Sequence, residues 1–254
     1  MPSPSADRVD PVDAAAGTLL HWNLAGWARH RGRPEVARLF ADVVLAAGRP
    51  PLAVTANEVC SGQFDALAET LAPAGFSAAA AWSIPDFDMP GCASYGNAVF
   101  WRGGDGGVER VTYPDHLQQD GAATRERRTL LIASAARSPL RIATTHPAPQ
   151  RGVAARQVAF LADLLSQEAD RPCVLAGDLN LPPRDTALDA LYASHEEADH
   201  FPRRFPRPTH QGLRKLDYVF VPRSRVRRMS QLRISFRPAW SDHARLAVDV
   251  ELAR

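Results

Sequence analysis

"CVLAGDLNLPP", residues 173–183, opens as a short apolar run, stops at Gly177, and then sets a carboxylate (Asp178) and a carboxamide (Asn180) two positions apart. A short, continuous apolar run bounded by turn-forming residues reads as a buried strand. Its polar end has two readings. The pair caps a loop, or it points into a site that needs both groups. In an extended segment residues two apart face the same side, so the second reading expects Asp178 and Asn180 to address one ligand together.

The same design recurs along the chain. "TLLHWNLAG" (18–26) reads as a strand running into a loop, and "PLAVTANEVC" (51–60) as a buried strand ending in polar residues. Between them "PEVARLFADVVLAA" (34–47) has helical apolar spacing, with Pro34 at a favoured first position. "GQFDALAETLAP" (62–73) reads as a short amphipathic helix, and "RGVAARQVAFLADLLSQEA" (151–169) carries Val153, Val158, Leu161, Leu164 and Leu165 on one stripe. Further strands are expected near 76–83, 95–101, 127–135, 139–146, 214–221, 228–236 and 245–252, with a short helix near 185–192. "RGGDGG" (102–107) reads as a turn, because it lacks the Lys and Ser/Thr of a phosphate-binding loop. Strands first alternate with helices and then run together, which implies an α/β fold with a two-sheet core covered by helices.

The 254 residues, 45 % hydrophobic, suffice for one large domain, expected over 17–254. Residues 1–16 are polar and proline-rich, without the apolar core of a signal peptide, and read as a disordered lead. No apolar run reaches the roughly 18–20 residues of a membrane span. The expected location is the cytoplasm, or outside it if a signal preceded these residues. Cys173 reads as a buried thiol. Cys60 and Cys92 are either free or bridged, and a bridge would favour an exported protein. The net charge is only +2, yet Arg203 to Arg237 holds ten Arg and one Lys against a single acid, Asp217. That asymmetry suits a phosphate-bearing polyanion, or else a solvated face in an Arg-rich chain whose one lysine is Lys215.

Asn23, Glu58, His146, Asp178, Asn180, Asp217, Asp242 and His243 all stand where apolar strands run out. Singly each has a plain explanation as a turn or loop residue. Together they point to one rim of a packed sheet, where loops carry chemistry. Gathering acids there is costly unless a cation or mutual pairing compensates. Carboxylates and carboxamides without thiolate suit a hard cation such as Mg²⁺. A histidine beside an acid can take a proton from water. These are the parts of phosphoester hydrolysis.

"WN" (22–23), "NEV" (57–59), "YGNAVF" (95–100), "TH" (145–146), "GDLN" (177–180), "LDYVFV" (216–221) and "SDH" (241–243) occur in the order of the endonuclease/exonuclease/phosphatase family. The chain resembles this DNase I-like superfamily, which includes apurinic endonucleases, sphingomyelinases and inositol polyphosphate 5-phosphatases, over about 18 to 252. The resemblance implies a four-layer, two-sheet α/β sandwich with helices on the outer faces. It implies Mg²⁺, with Mn²⁺ as the alternative, held by Glu58 with Asn23 assisting and Asp242 nearby. Asp178 and Asn180 would orient water and bind the phosphoryl group. His243 would be the general base, with Asp217 holding its ring. His146, Asn97 and Arg128 would contact phosphate. "NEV" replaces the usual "QEV" but keeps the acid, and the proline of "THP" restricts His146.

A serine hydrolase is disfavoured, since no G-x-S-x-G is present and successive side chains at 241–243 diverge. The histidines of "HEEADH" (195–200) are five apart and leave one helical face, against a zinc peptidase. The expected enzyme is a monomeric, Mg²⁺-dependent phosphoesterase cutting phosphodiester bonds, with nucleic acid the leading substrate. Arg29, Arg31, Arg33 and Trp27 could grip phosphates and stack on bases. A small phosphorylated metabolite, a lipid head group, or a non-catalytic binding module on the same fold are the alternatives.

Overall fold

The computed structural model describes residues 16–46, 50–118, 126–137, 141–167, 173–200, 206–237 and 239–252. The chain begins β1 (Ala16–Asn23), α1 (Pro34–Leu45), β2 (Ala53–Cys60), α2 (Ser61–Leu71), β3 (Phe76–Ile84) and β4 (Tyr95–Arg102). It continues through β5 (Asp105–Thr112), β6 (Thr129–Ala135), β7 (Arg141–Thr145), α3 (Arg151–Ser166), β8 (Cys173–Asp178), α4 (Asp189–Ser194) and β9 (His195–Glu197). Four strands close it: β10 (Asp217–Pro222), β11 (Val226–Met229), β12 (Arg233–Ser235) and β13 (Arg245–Leu252).

The strands form two sheets, ordered β11-β13-β1-β2-β4-β3 with β12 also on β13, and β5-β6-β7-β8-β10-β9. Each sheet contains one parallel pair, β1–β2 and β7–β8, joined through a helix, α1 or α3. The two-sheet α/β sandwich is therefore present, built around two β-α-β units whose strand ends meet at one rim.

Side-chain alternation builds the four layers. Val174 and Ala176 of β8, Val219 and Val221 of β10, and Leu246, Val248 and Val250 of β13 fill the core between the sheets. The intervening Leu20, Trp22, Val54 and Ala56 face α1 and α2 with Phe40, Val44 and Leu67. Leu175, Tyr218 and Phe220 face α3 and α4 with Val158, Leu161 and Leu191. Period-two alternation sends residues of one parity inward. The inward parity of β1, β8 and β10 then runs on into His21 and Asn23, Asp178, and Asp217.

Several expectations are corrected in detail. The Gly-rich stretch at 102–107 is not only a turn, because the edge strand β5 starts inside it at Asp105. Residues 195–197, where no strand is expected from sequence, form the short strand β9. The strand expected at 228–236 is two short ones, because Leu232 breaks the ladder on β13 and donates instead to Ala198 O. The N-terminal lead lies outside the described residues up to 15, and Ala16 already belongs to β1. Cys60 and Cys92 are joined in a disulfide that ties the end of β2 to the loop before β4, while Cys173 is a buried free thiol. No helix among the described residues is long and apolar enough to cross a membrane.

Gly177 shows how tightly the rim is set. A Cβ there would meet the Thr145 carbonyl oxygen at 2.4 Å, so only glycine lets β8 run beside the end of β7. Gly177→Ala is expected to destabilise by about 1–3 kcal/mol through overpacking, lowering Tm by roughly 2–4 °C per kcal/mol in a domain of this size, as read by calorimetry. Alkylation of the denatured, unreduced protein should label Cys173 alone, with Cys60 and Cys92 reacting only after reduction. Labelling of all three without reduction would refute the bridge.

Candidate active site

Glu58 reaches the rim through a bulge. The β2–β4 pairing is regular to Ala56↔Ala98 and resumes at Val59↔Gly96, so Asn57 and Glu58 together oppose Asn97. Strict alternation would send Glu58 outward, toward the helices. The extra residue, with Glu58 at φ 55°, re-aims it inward, at a backbone cost of about 1–3 kcal/mol for a non-glycine residue in that region. Two neutral donors hold the carboxylate: Asn23 Nδ2 to Oε1 at 3.0 Å and the Tyr95 hydroxyl to Oε2 at 2.6 Å. Burial, followed by the Glu58 charge, pushes the Tyr95 phenol well up, so it stays a donor.

Asn57, completely buried, crosses the gap between the sheets. Its Oδ1 accepts from Asp178 N at 2.9 Å, and its Nδ2 donates to Asn97 Oδ1 at 2.8 Å and to Thr144 Oγ1 at 3.1 Å. Asn23 also crosses, donating to Asp178 Oδ2 at 3.1 Å while its own Oδ1 accepts from Ala25 N.

Asp178 fulfils both readings of the opening motif. Its Oδ1 caps the following turn by accepting from Asn180 N at 3.0 Å, and its Oδ2 faces the site. Asn180 does not continue the strand. It takes φ 52°, and its amide donates to Pro147 O at 3.0 Å, so the expectation that both side chains point the same way is replaced by a turn that locks the "THP" loop. His146 Nε2 lies 3.7 Å from Asp178 and 3.9 Å from Glu58. Burial, then the charge of Arg128, pushes the His146 pKa well down. Arg128 donates to its Nδ1 at 3.2 Å and to its carbonyl at 3.1 Å, which leaves the ring proton on Nε2, toward the two acids. Arg128 is itself buried and paired with Glu126 at 2.8 Å.

His243 is fixed on three sides. Ser241 Oγ accepts from its backbone N–H, the Trp22 indole donates to its carbonyl at 2.9 Å, and Nδ1 lies 2.9 Å from Asp217 Oδ2. Its Nε2 lies 3.6 Å from Asp178. Burial alone would lower its pKa, but Asp217 overrides this and raises it to about 10. Burial opposes the Asp217 charge too, yet His243 and the His21 ring 3.4 Å away hold it well below the usual carboxylate range. Asp178 goes the other way, raised by burial and by the charge of Asp217. Asp178, Asp217 and His243 offer ligand atoms within 4.8 Å of one another.

A model of the Endonuclease/Exonuclease/phosphatase family matches residues 20–243. The chain belongs to that family. Among solved structures it is similar to an endonuclease/exonuclease/phosphatase from Beutenbergia cavernae DSM 12333, at 22 % identity and TM-score 0.69, over 94 % of this chain and 72 % of that one. It is also similar to the human Nocturnin catalytic domain with bound sulfate anion, at 18 % identity and TM-score 0.70 over 96 % of both chains. A truncated Caenorhabditis elegans TDP2 matches at 16 % identity and TM-score 0.68, over 93 % of this chain and 97 % of that one. No curated protein sequence matches the chain.

This family member brings Asn23, Glu58, His146, Asp178, Asp217, His243 and Arg128 into one hydrogen-bonded and ion-paired group. Three expected residues stand apart from it: Asn180, whose side-chain amide is spent on Pro147 O, Asn97 and Asp242. Asn97 is buried between the sheets, and its hydrogen bonds run to Asn57 and Thr129. Asp242 has Arg29 at 3.9 Å and His210 at 3.8 Å, with no hydrogen bond or ion pair to Glu58. Sequence reasoning passed over Asn57, Tyr95, His21 and Ser241, although each stands within or beside a motif it used. The available signal was parity: Asn57 and His21 share the inward phase of β2 and β1.

Stability should follow these charges. A histidine with a raised folded pKa contributes stability that is complete below its unfolded value of 6.5 and lost as pH climbs toward about 10. Asp178, an acid with a raised folded pKa, destabilises increasingly as pH rises past 3.8. The metal-free protein should therefore lose Tm on going from neutral to alkaline pH. Asp178→Asn should raise Tm at neutral pH but not at acid pH, and His243→Gln should flatten the alkaline decline. Thermal melts in EDTA across pH check all three.

Proposed function

We propose that this family member is a divalent-metal-dependent phosphodiesterase acting on nucleic acid. The observation that carries the reading is the meeting, across two sheets, of Glu58 and Asp178 with the donors Asn23, His146, Arg128 and His243. Acids and donors interleaved in this way suit a cation together with an oxyanion. The similar Nocturnin domain holds a sulfate, and a tetrahedral oxyanion is what Arg128, His146 and His243 would accept here.

The donor set fits a hard cation. Glu58 supplies carboxylate oxygens without sulfur, with Asp178 the second acid facing the same space; Asn23 reaches both through its Nδ2, its own Oδ1 being taken by Ala25 N, and His146 Nε2 lies near both as well. Mg²⁺ or Mn²⁺ held there would offset phosphoryl charge and acidify water. Asp242, whose Oδ1 is buried without a hydrogen-bond partner among the described residues, adds an acid on the loop before His243.

The protonation states divide the remaining work, and differently from the family expectation for His243. Kept as imidazolium by Asp217, His243 is better suited to hold a phosphoryl oxygen than to take a proton. Asp178, raised toward neutrality, is the group suited to accept a proton from water. His146 offers Nε2–H, and Arg128 both fixes that tautomer and adds positive charge.

Nucleic acid is supported by the loop after Asn23. It returns to Glu58 through Gly26 N, carries Arg29, and places Arg31 over the Trp27 ring at 5.2 Å. Trp27 continues through Phe87 at 5.3 Å to Tyr95, the donor to Glu58. Rings and guanidinium groups of this kind suit bases and backbone phosphates. The Arg203–Arg237 segment supports it less. Arg207 is tied to Asp199 and Lys215 is buried against Glu197, while Arg203 and Arg204 lie outside the described residues. The Cys60–Cys92 bridge favours the exported alternative over the cytoplasm.

Purified protein with Mg²⁺ or Mn²⁺ should hydrolyse DNA or RNA in a panel that includes a lipid phosphodiester and phosphomonoesters, and should stop in excess EDTA. Full turnover in EDTA, or release of phosphate from monoesters alone, would refute the reading. Asp178→Asn and His243→Gln should each lower kcat by about 10²–10⁴-fold, with the double variant no worse than the worse single one. Arg31→Glu should weaken nucleic-acid binding and reduce its salt dependence. For duplex DNA the log–log slope should fall by about 0.9 for each phosphate the protein no longer neutralises.

A further inference from the structure

His21 is completely buried on β1, two positions before Asn23, and none of the roles above uses it. Its ring lies between the sheets. Nδ1 is 2.9 Å from Thr55 Oγ1 on the neighbouring strand β2, and Nε2 is 3.4 Å from Asp217 Oδ1 on β10 of the opposite sheet, an electrostatic approach without the alignment of a hydrogen bond. Asp217, with no exposed surface, thus has an imidazole on either side, His243 through Nδ1 and His21 through Nε2.

Proton placement follows from the partners. The Thr55 hydroxyl has one hydrogen and two acceptors in reach, His21 Nδ1 at 2.9 Å and Leu20 O at 3.4 Å. The nearer acceptor leaves Nδ1 as the ring's acceptor and puts its hydrogen on Nε2, toward the carboxylate. The opposite tautomer would set a lone pair against Asp217. An apolar side chain would fill this core position without the cost of burying a polar ring. A histidine here makes sense through what it does to Asp217.

We propose that His21 is a positioning residue. It clamps Asp217 from the first sheet, with Thr55 setting its tautomer, so that Asp217 presents a fixed oxygen to His243. Without the clamp the carboxylate can turn about its last bond, and the His243 ring turns with it. The proposal rests on the reading of Asp217 and His243 as one functional unit, so its test needs an arm independent of turnover.

The variants are His21→Leu, which keeps volume and removes both ring nitrogens, His21→Gln, whose amide can restore a donor at the Nε2 position, and Thr55→Val. In the full-length, metal-loaded protein, His21→Leu should lower kcat roughly 10-fold, the low end for outer partners of an oriented histidine, with KM for a small diester unchanged. His21→Gln should recover most of the loss. In an Asp217→Asn background, His21→Leu should cost nothing further. The independent arm is nitrogen-15 NMR of the histidine side chains, in which the His243 Nδ1–H resonance should move in His21→Leu and Thr55→Val and return in His21→Gln. That arm stands even if no phosphoester is hydrolysed, so its failure and that of the functional reading are separable. If His21→Leu does not fold, Thr55→Val carries the test alone. A folded variant with an unmoved His243 resonance and unchanged kcat overturns the clamp.

Discussion

Asn57 joins the two sheets with a single buried amide, bonded to Asp178 N, Asn97 Oδ1 and Thr144 Oγ1. The rest of the core between the sheets is mostly alanine, valine and leucine, with Trp101 and Ile142, and its attraction is non-directional and tolerates sliding. Hydrogen bonds do not tolerate it. Asn57, Asn23 and His21 all reach from the first sheet to acids or strand ends of the second, and together they set where one sheet stands over the other. The distances from Glu58 and Asn23 to the acids of the second sheet depend on that seam, because Glu58 rides on one sheet and Asp178, Asp217 and His146 ride on the other.

The seam carries charge as well as register. Asp217 is stabilised by His243, and Asp178 is destabilised by Asp217 and by burial. One acid is held ionised so that its neighbour is kept close to protonation. The bulge at Asn57–Glu58 adds backbone strain at the same place. Strain and unfavourable charge at a single rim mark a region arranged for something other than stability. The large buried clusters on either side of the two sheets supply the stability that tolerates it.

Charge read along the chain and charge in space differ. Among the described residues, part of the most basic stretch of sequence is spent on pairing within the fold. Arg207 braces its own loop through Asp199, Lys215 lies over the Tyr218 ring beside Glu197, and Arg233 pairs with Asp249. The acids are flanked by a modest loop of three arginines and one tryptophan, and by His210 and Arg214 beside His243. Net charge per segment reports what is available, and pairing across strands decides what remains to meet a partner.

By itself the sequence determined the alternation of strands and helices, the two-sheet class, and which polar residues end apolar strands, because burial on both faces leaves continuous apolar runs that stop abruptly at the rim. It also named most of the polar residues that meet at the rim, through short motifs in a fixed order. Only tertiary structure decided how those residues are used. The bulge that turns Glu58 inward is one unpaired residue, invisible to periodicity. The turn at Asn180 reverses a prediction made from ideal strand geometry, because the Asp178 carboxylate captures the next free N–H. Asn57 and His21 looked like unremarkable neighbours of the motif residues, since their partners lie 121 and 196 positions away. Contacts over such separations are set by how two sheets stack, and a linear pattern holds no record of that.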